Sequence, residues 1–177
     1  MKNLKLKYFL PVIITIIFVV FFSQLLKKDV TKLSSQLIEK PVPIFDMPML
    51  MNNKQSFSTI DVVTSDTALV NIWSSWCIPC RSEHEILMLL SKIEGVDLYG
   101  INYKDKEENA LDFISKLGNP FKKIGIDKNG RSSMVWGVYG VPETFIIHKG
   151  TVIYKHIGPI HINELEDIIL PILGDIL

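Results

Sequence analysis

The sequence predicts an α/β sandwich around a central mixed sheet, preceded by a single transmembrane helix. Three observations carry this. Tyr8 to Leu26 is an uncharged, largely apolar run. From residue 68 onward, apolar runs that suit buried strands alternate with stretches of helical periodicity. Near the C-terminus, two β-prone runs flank Lys149-Gly150 and read as a hairpin. Strand–helix–strand–helix–strand, then hairpin, then helix, requires helices layered on a sheet with parallel and antiparallel pairs.

The 177 residues include 19 basic and 19 acidic side chains, so no basic excess points to nucleic acid. Hydrophobic content is 47%, and Tyr8 to Leu26 inflates it. At about 1.5 Å per residue that run nearly matches a hydrocarbon core of roughly 30 Å. Pro11 falls in its first turn, where proline does little harm. The run exceeds the roughly 7–15 residues of a signal-peptide core, and no A-x-A-like site follows it. The expected organisation is a short cytoplasmic tail over 1–7, an uncleaved anchor over 8–26, a linker over 27–40 and one globular domain over 41–177. Lys2, Lys5 and Lys7 precede the run, but Lys27, Lys28 and Lys32 follow it, so the positive-inside rule barely decides orientation.

Pro41 and Pro43 bias their predecessors to extended geometry and mark the start of the domain. Phe57 and Ile60 belong to a short strand or turn at its edge. Ala68 to Trp73 is almost continuously apolar, as a strand covered on both faces should be. Arg81 to Ile93 reads as a helix with Ile86, Leu89, Leu90 and Ile93 as its apolar stripe. Arg81, Ser82, Glu83 and Glu85 lie mainly on its other side, and Gly95 ends it. Val96 to Tyr103 is the second strand. Glu107 to Leu117 is a second helix that buries Ala110, Leu111, Ile114 and Leu117 and stops at Gly118-Asn119-Pro120. Phe121 to Ile126 is a short strand, Asp127 to Gly130 a turn or helix entry, and Met134 to Val138 a short helix. Thr144 to His148 and Thr151 to His156 form the hairpin. Ile162 to Ile176 is a final helix, interrupted or ended near Pro171.

The only two cysteines lie in Trp76-Cys77-Ile78-Pro79-Cys80, between the first central strand and its helix. A C-x-x-C pair at such a junction reads as a thioredoxin-like redox site. A thiol at a helix N-terminus faces unpaired N–H groups and the positive end of the dipole. Both favour the thiolate, the nucleophile of disulfide exchange. The rival reading is half of a zinc site, which normally needs four ligands. Of His84, His148, His156 and His161, only the last two have an allowed spacing, and they flank Gly158-Pro159 rather than a helix. No metal and no bound cofactor is expected.

Asn71-Ile72-Trp73-Ser74-Ser75-Trp76-Cys77-Ile78-Pro79-Cys80-Arg81-Ser82-Glu83-His84 resembles the active-site segment of the membrane-anchored thioredoxin-like proteins of cytochrome c maturation. This is the thiol:disulfide interchange family DsbE, or CcmG. Lys40 to Pro43, Gly100 to Asp105, Leu117 to Phe121 and Gly137 to Phe145 are similar to the same family. The segment Gly137-Val138-Tyr139-Gly140-Val141-Pro142-Glu143-Thr144-Phe145 narrows the match beyond thioredoxins in general.

The resemblance implies a thioredoxin-like three-layer sandwich with Pro142 as a cis-proline beside a redox-active Cys77-Cys80 disulfide. Val141 is then left to pair with an extended partner segment. It also implies a membrane-anchored periplasmic reductant at the cell inner membrane. Its partner would be apocytochrome c, whose haem-binding cysteines must be free thiols, or a second maturation dithiol protein. A membrane electron donor of the DsbD/CcdA type would recharge it. Cys77, first in the pair and nearest the exposed helix end, is the attacking thiolate. Cys80, one turn further in, is the resolving thiol.

Ile78 and Pro79 offer no charge or side-chain donor to hold a thiolate, which favours a reductant over an oxidant. Pro79 also simply suits a helix start. Asn71 stands where thioredoxins place a buried aspartate thought to handle the resolving thiol's proton. Glu143 is then the candidate acid that shapes the dithiol or accepts the Cys80 proton. The alternative is an exposed rim glutamate that contacts a partner. Trp76 covers Cys77 and offers partner contact, or packs in the core. Tyr139 joins the same groove, Trp73 and Trp136 belong to the core, and His84 is a surface or packing histidine.

Three rivals share the fold. Copper-delivery relatives use C-x-x-x-C, which is absent. Peroxide-reducing relatives set an arginine and a threonine around the reactive cysteine, and here the only arginines are Arg81 and Arg131. A general envelope disulfide reductase has the same architecture and chemistry.

Overall fold

The computed structural model describes residues 3–26, 37–52 and 54–177. The chain divides into two units, residues 1–34 and 35–177. The first holds helix α1, Asn3–Leu26. It begins before the expected boundary at Tyr8, so residues 3–7 of the expected tail are helical. Pro11 therefore sits inside the helix rather than in its first turn. Side chains are described over 9–23 and are exposed, mostly apolar residues. Its hydroxyls are satisfied locally: Thr15 Oγ1 donates to the Pro11 carbonyl at 2.9 Å, and Ser23 Oγ to the Val20 carbonyl at 2.8 Å. Among the described residues no helix is long and apolar enough to cross a membrane. Of the expected linker over 27–40, residues 27–36 lie outside the described residues.

The second unit begins earlier than Pro41. Glu39 N–H donates to the Val152 carbonyl, Val152 N–H to the Lys40 carbonyl, and Val42 N–H to the Gly150 carbonyl. The segment is thus tied to the hairpin before the first proline. The strands β1 (Asp46–Pro48) and β2 (Ser56–Ser58) then pair antiparallel. The helix α2 (Thr59–Val63) follows. Phe57 is buried, but Ile60 lies on α2 and faces solvent.

Five further strands make the main sheet: β3 (Thr67–Trp73), β4 (Val96–Tyr103), β5 (Lys123–Asp127), β6 (Glu143–His148) and β7 (Thr151–Ile157). Their order is β5-β4-β3-β6-β7. The first three run parallel, while β6 is antiparallel to both β3 and β7. Every residue of β3 is buried, as its near-continuous apolar run requires.

Helices α3 (Ile78–Leu90) and α4 (Glu107–Leu117) connect the parallel strands. The chain steps twice in the same direction across the sheet, so like-handed crossovers put both helices on one face. There, Leu87 and Leu90 of α3 and Phe113 and Ile114 of α4 join Leu69, Trp73, Leu98 and Ile146 in one core. The C-terminal helices supply Leu165, Ile169 and Leu173 to it. The opposite sheet face packs Val70, Ile72, Ile101 and Phe145 against Phe45, Met47, Phe57 and Trp136. The third layer is therefore the β1–β2 hairpin with the short α2 and α5 (Arg131–Val135). Gly125 permits it. A Cβ there would lie 2.8 Å from the Phe57 ring and run into the Met47 side chain.

Several expectations shift by part of a turn. The α3 stripe is Cys80, Glu83, His84, Leu87 and Leu90, with Leu89 exposed and Ser91 as the cap. On α4, Phe113 takes the place expected for Leu111, because it packs against Trp73 with ring centroids 5.0 Å apart. The short helix α5 starts three residues earlier than Met134. Pro171 does not end the last helix. The π-helical stretch Leu165–Ile169, between α6 (Ile162–Glu164) and α7 (Leu170–Ile176), widens the turn just before it.

Candidate active site

The strand β3 ends at Trp73 and α3 starts at Ile78, so residues 74–77 turn over the C-terminal edge of the parallel strands. That turn is fastened to the exit of β4. Ser74 Oγ donates to the Tyr103 carbonyl at 2.6 Å. Ser75 N–H and Oγ donate to the Asp105 carboxylate at 2.6 and 2.8 Å, and Asn102 Nδ2 adds a third donor at 3.0 Å.

Cys77 is the N-cap of α3, in extended backbone, and its Sγ accepts the Cys80 N–H at 3.1 Å. Pro79, exposed in the first turn, loses no hydrogen bond there. Cys77 and Cys80 are joined as a disulfide and both are buried. A reduced Cys77 at this N-cap would face the first-turn N–H groups, which favour a thiolate over a thiol.

The segment before β6 comes up to the same sulfur. Val141, half-buried, places its carbonyl oxygen 3.5 Å from Cys77 Sγ, and the Val141–Pro142 peptide is cis. Beside the disulfide in the chain the surface is apolar: Trp76 is 57% exposed and Ile78 82%, and Tyr139, two residues before Val141, is 63% exposed. Trp76 is thus not a core residue. Its Nε1 donates to the Lys104 carbonyl at 3.2 Å. Trp73 and Trp136 are buried in the two cores. His84 is buried too. It packs edge-on against Phe113 and contacts the Gly118 carbonyl through Nε2 at 3.0 Å, and burial pushes it below the ordinary histidine range.

The carboxylates are arranged differently from the expectation. Glu143 is no exposed rim residue; it is 1% exposed. Its Oε1 accepts the Tyr139 N–H at 2.9 Å and the Gly140 N–H at 3.3 Å. Its Oε2 lies 2.8 Å from Lys155 Nζ, an ionic contact without hydrogen-bond alignment. Glu83, placed by periodicity on the outer face of its helix, is completely buried. It follows Cys80 by three residues on the same inward stripe. Its Oε1 accepts Asn71 Nδ2 at 2.9 Å, and its Oε2 accepts the Ile160 N–H at 3.0 Å. Among the described residues no cation pairs with it. Burial raises its pKa from 4.5 to about 7, against the two hydrogen bonds, which lower it.

Glu83, Lys155 and Asp105 are polar residues around the site for which the sequence analysis gives no role in the chemistry. A signal existed for Glu83. Taking Cys80 as the first buried position of α3 puts residues 83, 84 and 87 on the same stripe. Among the described residues no group of three or more His, Cys, Asp or Glu side chains could hold a metal ion.

The Redoxin family model matches residues 38–169. The thiol:disulfide interchange protein DsbE of Allochromatium vinosum is 37% identical over 84% of this chain and 82% of its own. The thiol:disulfide interchange protein CycY of Rhizobium leguminosarum is 46% identical over 58% of this chain, which spans only 56% of that protein. In fold, the chain is similar to the thioredoxin domain of a thiol-disulfide oxidoreductase from Bacteroides vulgatus. That likeness has a TM-score of 0.64 and 18% identity, and covers 79% of this chain and 98% of the other. With its mixed sheet and its cysteine pair capping α3, the chain belongs to the DsbE family of thiol:disulfide interchange proteins and is a thiol-disulfide oxidoreductase.

Proposed function

We propose that this protein reduces the haem-binding cysteine pair of apocytochrome c, directly or through a partner dithiol, during c-type cytochrome biogenesis. In this reading the uncharged run from Tyr8 to Leu26, which extends beyond the stretch 9–23 whose side chains are described, anchors it in the cell inner membrane by a single span. The thioredoxin-like unit then works on the periplasmic side, recharged by a membrane donor of the DsbD/CcdA type. The observation that carries the chemistry is the buried Cys77-Cys80 pair at the start of α3, flanked by the exposed Trp76 and Ile78, with the buried Glu83, which no cation meets among the described residues, one turn below Cys80. The compartment supports the need: outside the cytoplasm thiols tend to oxidise, so a haem-ready pair needs a dedicated reductant.

The steps follow from that geometry. Reduced Cys77, as thiolate, attacks one sulfur of the substrate disulfide, and the other sulfur leaves as a thiolate that takes up a proton. Cys80 then gives its proton to the Glu83 carboxylate and attacks Cys77 Sγ. The second substrate thiolate leaves and is protonated in turn. Two electrons have passed to the substrate, and Cys77-Cys80 is a disulfide again. The upstream dithiol reverses these steps.

The test is a trap. In the full-length membrane protein, Cys80→Ala leaves the mixed disulfide on Cys77 unresolved, and the attached protein is identified by mass spectrometry. Apocytochrome c or a cytochrome-maturation dithiol protein is expected. A broad set of envelope proteins would replace this reading with that of a general disulfide reductase.

A further inference from the structure

The segment that faces Cys77 is held by a buried charge pair. Residues 137–140 link the buried Trp136 to Val141. Gly137 has a left-handed φ of +62°, and a Cβ at Gly137 or Gly140 would meet nothing within 4 Å. Side-chain packing therefore does not fix these two positions; Val138 packs on the core and its N–H donates to the Ser133 carbonyl, and beyond it the loop is held by polar ties. Lys155 reaches across from β7 with its side chain only 1% exposed. Its Nζ donates to the Gly137 carbonyl at 2.8 Å and lies 4.5 Å from the centre of the Tyr139 ring. Glu143, its ionic partner, accepts the N–H groups of Tyr139 and Gly140. The cation thus holds the carbonyl at one end of the loop, and the anion holds the amides at the other.

We infer that Lys155 is a positioning residue for partner binding. Through Gly137 and Glu143 it sets the loop that exposes Tyr139 and leads into Val141 beside Cys77, and so governs docking of a polypeptide disulfide more than exchange at the dithiol. The inference rests on Cys77 and Cys80 being the reacting pair.

The test compares wild type, Lys155→Met and Lys155→Arg, each full-length in mild detergent. The substrates are an oxidised C-x-x-C-H peptide, a scrambled disulfide peptide of equal length and a small aromatic disulfide with no peptide backbone. Lys155→Met should raise KM for the peptides about tenfold more than it changes the rate with the small disulfide, as expected when docking geometry is lost. Lys155→Arg, which keeps the cation, should recover most of that KM. An unchanged peptide KM, or equal slowing with all three substrates, overturns the inference. If Lys155→Met does not fold, Glu143→Gln with Lys155→Met removes both buried charges. That pair should fold and still show the raised KM, and a wild-type KM there overturns the inference. A wild-type protein that does not prefer the C-x-x-C-H peptide counts against the apocytochrome reading, while the effect of Lys155 is still read on the scrambled peptide.

Discussion

Glu83→Gln separates a proton-handling carboxyl from a packing one. Burial raises the Glu83 pKa from 4.5 to about 7. Between those values the folded protein holds a proton that the unfolded chain has released, so stability falls as pH rises. Each pH unit in that window is worth about 1.4 kcal/mol, or about 3 kcal/mol across it. The glutamine cannot ionise and has no such slope. Its amide does replace one oxygen that accepted from Asn71 or Ile160. The Asn71 amide can turn to meet it, because Asn71 Oδ1 has no hydrogen-bond partner among the described residues. Any residual loss there is independent of pH and cancels in the slope. Denaturant unfolding of the oxidised full-length protein in mild detergent, where neither cysteine titrates, measures this at pH 5 and pH 8. The stability of Glu83→Gln relative to wild type should rise by about 2.5 kcal/mol between the two, slightly less than the full window because pH 5 already lies above 4.5. A difference that stays flat would mean Glu83 is ionised throughout and cannot be the acceptor for Cys80. In the reduced protein, resolution of a preformed mixed disulfide should slow by roughly 10² in the variant, the usual scale for losing a positioned base.

Two further outcomes test the frame that holds the dithiol. Asp105→Asn weakens the carboxylate that accepts from Ser75 and Asn102, and should lower unfolding free energy by about 2 kcal/mol and slow mixed-disulfide formation, measured by denaturant titration and stopped flow. Gly125→Ala forces a methyl against the buried Phe57 ring and should cost about 1–3 kcal/mol, read as a lower denaturant midpoint with unchanged slope.

The sheet was legible because its signals are local and one-dimensional. The strand β3 is an uninterrupted apolar run, β4 and α4 are bounded by glycine and proline, and the hairpin turns on Lys149-Gly150. The Cys77-Cys80 junction was legible for the same reason. The phase of α3 was not, because its buried stripe contains a glutamate and a histidine that a hydrophobic periodicity rule assigns to solvent. The same rule turns Leu89 inward for the converse reason, although an exposed leucine is ordinary. The third layer was also hidden. The strands β1 and β2 are three residues each, too short for periodicity, and Gly125 shows its purpose only once Met47 and Phe57 lie over it. The link from Glu143 to Lys155 joins neighbouring strands β6 and β7, and no spacing rule pairs those two positions.

Glu83 and Glu143 show why burial alone does not define a proton-transfer group. Both are almost inaccessible to water, and both accept two hydrogen bonds. They differ in what else faces them. Glu143 meets a lysine ammonium 2.8 Å away, and its two donors belong to the loop beside Cys77, so its charge serves as a strut. Glu83 meets an amide side chain and one backbone N–H, both neutral, and so sits near the point where gaining and losing a proton are equally easy at neutral pH. Asn71 is what makes that possible. A second carboxylate at that position would crowd like charges, whereas its amide donates to Glu83 and to Thr144 and adds no charge beside Glu83. The asparagine in β3 and the glutamate in α3 together do the work of one buried acid, which neither residue discloses when read alone.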